Sequence, residues 1–139
     1  MANLLKLEIV TPDRSFFSGD VEMVVVRTTE GDIGILYDHE PLVAPISVGA
    51  VRIKQDGKFT AAACSGGFIS VDEDVATIIT DTAEWAHEID VERAKSAKER
   101  AEAVLKNAEA RELDVVSAKV SLTKAANRLH IADVYHTKR

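Results

Sequence analysis

Along the first half of the chain, apolar positions recur with period two. In LLKLEIV, Leu5, Leu7 and Ile9 fall on one side and Lys6 and Glu8 on the other, the alternation of a half-buried strand. The runs VEMVVVRT (21–28), AVRIK (50–54), KFTAAACS (58–65), FISV (68–71) and VATIIT (75–80) are further β-rich segments. Between the runs lie turn-forming stretches: TPDR, SGD, EGDIG, QDGK, SGG and VDED. Asp56-Gly57 between two runs predicts a tight hairpin. Short strands at this spacing predict a β-sandwich or a barrel.

From Asp90 onward the period changes. Ala94, Ala97, Ala101, Val104 and Ala108 are spaced alternately three and four apart, and Val115, Ala118, Leu122, Ala125, Leu129 and Ala132 repeat the pattern. Two helices joined by the polar stretch NAEARELD predict an antiparallel hairpin. Alanine seams allow close approach but bury little area, so this pair is expected to be weaker than the β-domain and easier to detach.

Charge divides the chain at the same place. Residues 1–87 hold 6 Lys/Arg and 14 Asp/Glu, a balance of −8, whereas residues 88–139 hold 11 and 9, a balance of +2. Two domains are therefore expected, 1–87 and 88–139, and the acidic first one is a poor nucleic-acid binder. An apolar content of 46% fits a soluble globular protein, and no apolar run approaches the length of a membrane span. The segment MANLLKLEIV lacks the order of a signal peptide, and the single cysteine, Cys64, fits a reducing compartment. Small uncharged neighbours mark Cys64 as a buried apolar residue rather than a nucleophile.

The start of the first helix is unusual. Asp90 is a good N-cap, but the position three residues on, where a capping box has Glu or Gln, holds Arg93. A cation there faces the positive end of the helix dipole. Arg100 lies two turns further along nearly the same face, and Lys124 and Arg128 share a face of the second helix. If the hairpin turns near residue 110, residue 93 lies beside 128 and residue 97 beside 124. Four cations then gather beside a helix N-terminus, which is either an anion or phosphate site or ordinary surface charge paired with Glu88, Glu92 and Glu99. Other chemistry is thin. His39 stands between Asp38 and Glu40, but an HExxH motif would need a second histidine where Val43 stands. Ser65 does not fit a nucleophile elbow, His130 and His136 are expected to be solvated, and no carboxylate pair stands out. Neither a catalytic nor a metal site is expected.

In order, IVTPDRSFFSGDVEMV (9–24), TEGDIGILYDHEPLVAPISVGAVRI (29–53), SGGFISVDEDVATIITDTAE (65–84), IDVERAKSAKERAE (89–102) and KAANRLHIA (124–132) resemble the epsilon subunit of bacterial F-type ATP synthases. The resemblance implies an α+β chain: an antiparallel β-sandwich of about ten strands followed by an α-helical hairpin. It implies a non-catalytic place in the rotor's central stalk, bound to the gamma subunit and the c-ring, at the cytoplasmic face of the cell membrane but without insertion. Glu30, Asp32 and His39 correspond to the family's contact with the c-ring. The hairpin corresponds to a moving part that permits ATP hydrolysis when folded and inhibits it when extended against the alpha and beta subunits. Ile89-Asp90-Val91-Glu92-Arg93-Ala94 matches the family's ATP motif, I/L-D-x-x-R-A. By the resemblance Arg93, Arg100, Lys124 and Arg128 hold phosphates, Ile89, Asp90 and Ala94 surround adenine or ribose, and Glu84 braces the site. Lys124 replaces an arginine and lacks its planar fork. No cofactor is required; ATP, with or without magnesium, is implied as a regulatory ligand. The alternatives are a purely structural coupling subunit without an ATP site and a stand-alone nucleotide-binding module.

Overall fold

A computed structural model describes residues 3–135, so His136 lies outside the described residues. The chain divides into two compact units between Trp85 and Ala86. The first is a sandwich of ten strands: β1 (Leu5–Val10), β2 (Ser15–Val21), β3 (Met23–Thr28), β4 (Gly31–Leu36), β5 (Leu42–Ile46), β6 (Gly49–Gln55), β7 (Lys58–Cys64), β8 (Gly67–Asp72), β9 (Val75–Thr80) and β10 (Ala83–Trp85). One sheet has the order β2-β1-β9-β8-β5 and the other β10-β7-β6-β3-β4.

The period-two pattern packs this unit. Leu5, Leu7 and Ile9 are fully buried, facing a core that includes Val24, Val26, Ile53, Ile69 and Ile78. Lys6 and Glu8, on the opposite side of β1, are left to water and pair with each other at 3.7 Å. The Asp56-Gly57 turn closes the β6–β7 hairpin, and both residues take positive φ (50° and 74°), as a mirror-image two-residue turn requires. Every strand pairing among the described residues is antiparallel except β1 with β9, which run parallel from Lys6↔Val75 to Val10↔Ile79. The expected antiparallel sandwich of about ten strands is thus what the chain forms, with this one parallel pair within it. The two strands lie near opposite ends of the unit's sequence, and the strands between them supply the long crossover that a parallel pair needs.

The second unit begins with a short 3-10 turn, η1 (Ala86–Glu88), followed by α1 (Val91–Lys106) and α2 (Glu112–Tyr135), which pack together. The expected seams are its contact face: Ala94, Ala101, Ala118, Ala125 and Ala132 are buried. Ala108, expected on the first seam, is instead exposed in the connecting turn. The helix ends at Lys106 because Asn107 turns extended, its N–H donating to the Val104 carbonyl while its Oδ1 accepts the Glu109 N–H at 3.0 Å.

Candidate functional site

The six residues of the Ile89–Ala94 motif divide into different physical roles. The Asp90 backbone is extended, and its Oδ1 accepts the Arg93 backbone N–H at 3.1 Å, so it is the N-cap of α1. Ile89 and Ala94 are buried, and Ile89 N–H donates to the Ala86 carbonyl at 3.4 Å. Glu92 is drawn to Lys95 at 3.8 Å rather than to Arg93. The Arg93 side chain is left exposed, and among the described residues no ion pair engages it, Arg100 or Lys124. An uncommitted guanidinium in the first turn of a helix can meet an external anion without first breaking an internal pair.

The remaining cations lie on the two packed helices. Ala97, Ala101, Ala118 and Ser121 line one cavity of about 480 Å³ between α1 and α2, near the connecting turn. Arg100 lines this cavity, about 10 Å further along α1 than Arg93. Arg93 and Arg100 are thus two turns apart on α1, and Lys124 and Arg128 lie on α2, the helix packed against it. Glu84 lies on β10, in the first unit, in register with Ala63.

The segment with Glu30, Asp32 and His39 is a strand with a loop at each end. Glu30 is in the β3–β4 turn, where its N–H donates to Thr28 Oγ1 at 3.2 Å. Asp32 is the second residue of β4 and is held by two cations: Arg27 Nε at 2.5 Å and Arg52 at 3.2 Å. The hydrogen bond from Arg27, with the charges of Arg27 and Arg52, holds the Asp32 carboxyl below the usual carboxylate range, and the same bond raises Arg27. His39 follows the far end of β4, about 20 Å from Glu30 along the strand. Its Nδ1 lies 2.7 Å from the Glu40 carbonyl oxygen, so Nδ1 carries the proton. Asp38 beside it has a positive φ, and its N–H donates to Asp74 Oδ1 at 2.7 Å, tying this loop to the β8–β9 turn. The three residues thus mark two separate ends of one edge strand.

Cys64 is buried in the sandwich core, and burial pushes its thiol up to about 12, so it is not a thiolate near neutrality. Ser65 Oγ accepts the Thr82 N–H, which makes it a turn brace. His130 is exposed, and no group of three or more metal-ligating side chains occurs among the described residues. Sequence reasoning missed the aromatic cluster closing one edge of the sandwich: Trp85 stacks on Phe16 at 4.6 Å and meets Phe17 edge-on at 6.0 Å. The adjacent aromatics FF were the available signal.

With this geometry in place, comparison with known proteins identifies the family. Residues 4–86 match the beta-sandwich domain of the ATP synthase delta/epsilon chain, and residues 87–133 its long alpha-helix domain. The ATP synthase epsilon chain of Halalkalibacterium halodurans is 50% identical over 128 residues, covering 92% of this chain and 96% of its own. That of Caldanaerobacter subterraneus is 46% identical over 136 residues, with 97% and 98% covered. Among solved structures, a chain of the Euglena gracilis mitochondrial ATP synthase, determined as OSCP/F1/c-ring in rotational state 1, superposes with a TM-score of 0.80 at 27% identity, covering 91% of this chain and 79% of that one. With two successive domain matches spanning nearly all of its length, the chain belongs to the ATP synthase delta/epsilon chain family.

Proposed function

We propose that this chain is a non-catalytic rotor subunit of the ATP synthase central stalk, at the cytoplasmic face of a bacterial membrane, whose helical hairpin senses ATP. The sandwich binds the gamma subunit and rests on the c-ring through the two ends of β4, with Glu30 the free carboxylate of that contact. The hairpin is the regulatory part: folded, it leaves ATP hydrolysis unhindered; extended toward the alpha and beta subunits, it inhibits.

The observation that carries the ATP reading is the exposed, uncommitted Arg93 at the capped start of α1; Lys124 and Arg128 lie on α2, the helix packed against it. A polyphosphate held by cations of both helices binds only the closed hairpin. At ten times its Kd it stabilises that state by about 1.4 kcal/mol. An alanine seam is weak enough for such an increment to matter. The burial of Ile89 and Ala94 favours a narrower role for the motif: these two shape the hairpin, Asp90 caps it, and the cations hold phosphate.

Calorimetric titration of ATP into the whole chain tests this, beside Arg93→Ala/Arg100→Ala, which keeps the Asp90 cap. Binding that weakens at least about tenfold in the variant, the loss of one charge-assisted contact or more, is expected. Absence of heat and of any thermal shift at millimolar ATP would leave the purely structural coupling subunit as the reading. Failure to associate with gamma would favour a stand-alone nucleotide module.

A further inference from the structure

The apolar mass of the helical unit is unevenly distributed. Along the seam the buried side chains are alanines, each offering one methyl to the partner helix. The only two large buried side chains of this unit among the described residues are Ile89, at 6% exposure, and Ile131, at 0%. Both belong to the open end of the hairpin, where antiparallel pairing brings the last turns of α2 alongside the start of α1. There η1 packs against α2, and Ala86 is buried within it. At the connecting turn the helices leave a solvent-open groove of about 480 Å³ between them, and Val104 beside it is only half-buried. The hairpin has its large buried side chains at its open end and a solvent-filled groove at its closed end.

We propose that the Ala86–Asp90 segment is a latch: η1 and Ile89 hold the end of α2 against the start of α1, and the closed hairpin opens by releasing there. Cohesion between apolar surfaces follows buried area, so separation is governed by the end where that area is concentrated. The Asn107–Arg111 connection serves as the pivot, because few buried contacts oppose its movement. Ile89 is accordingly a positioning residue for the closed state, whatever ligand the closed state takes. The inference does not depend on ATP binding.

The test is native-state hydrogen exchange on the whole chain without nucleotide. Ile89→Ala should speed exchange of the α2 amides by roughly thirty-fold or more, the size expected when a buried isoleucine is cut to alanine, while amides of β1 and β9 keep their protection. Should that variant leave the hairpin unprotected throughout, Ile89→Val and Val104→Ala decide. Ile89→Val removes one carbon at the latch and Val104→Ala removes two beside the cavity, yet the first is expected to accelerate α2 exchange more. Unchanged α2 exchange in Ile89→Ala, or a larger effect from Val104→Ala than from Ile89→Val, would overturn the proposal. Failure of wild-type chain to bind ATP would sink the nucleotide reading and leave the latch standing.

Discussion

Gly67 opens β8 at a point where two backbones meet, and its replacement by alanine is a severe test of the sandwich. Its φ is +143°, where L residues are rarely found, and holding one there costs about 1–3 kcal/mol. A Cβ on this residue would sit 1.9 Å from the Ile79 carbonyl oxygen and 2.9 Å from its carbonyl carbon. Both atoms are backbone, so β8 and β9 must separate by about 1 Å at the Gly67↔Thr80 pair. Losing one or two ladder hydrogen bonds there adds about 0.5–1.5 kcal/mol each. A total of about 3–5 kcal/mol is then expected, a large part of the 5–15 kcal/mol that holds a typical domain. Gly57→Ala is the control: its φ is also positive, at 74°, but a Cβ there meets nothing within 4 Å, so about 1 kcal/mol is expected. Urea unfolding followed by the emission of Trp85, the chain's single tryptophan, reports this unit directly. Equal midpoints for the two variants would refute the reasoning, because backbone approach would then contribute nothing beyond φ.

Asp32 gives the sandwich an acid-dependent contribution. Its carboxyl is depressed in the folded state by Arg27 and Arg52, so the pair stabilises fully above the ordinary Asp range and is lost as pH falls through the depressed folded value. The site is partly exposed, so the effect is held to under about 1 kcal/mol; Asp32→Asn should show it near neutrality and lose it in acid, which urea midpoints across pH would check. Cys64, with its thiol raised to about 12, should resist iodoacetamide in the native protein at mildly alkaline pH and react at once in urea. Rapid native labelling, read by mass spectrometry, would contradict its burial.

The sequence and the tertiary structure divide this protein along a physical line. The six runs recognised by pattern correspond to β1, β3, β6, β7, β8 and β9, the interior strands of the two sheets. The four without a recognised run, β2, β4, β5 and β10, are the edges. An interior strand is flanked on both sides and must keep its apolar alternation. An edge strand tolerates the glycines of SFFSGDV and GDIGIL and the proline of LVAPI, residues that imitate turns. The ten-strand count was available only through the family resemblance. Helix starts, the seam alanines and the Asp56-Gly57 hairpin were legible because each depends on residues close in sequence. The parallel β1–β9 pair was not, since it joins segments more than 60 residues apart whose strand patterns carry no direction. The site followed the same division. Arg93, Arg100, Lys124 and Arg128 were singled out by spacing and motif, but only packing decided that Ile89 and Ala94 face inward, that Asp90 is used as a cap, and that Asp32 is already paired with two arginines. Local pattern determines which elements form; what a side chain has left to offer a ligand depends on neighbours that only the folded chain brings to it.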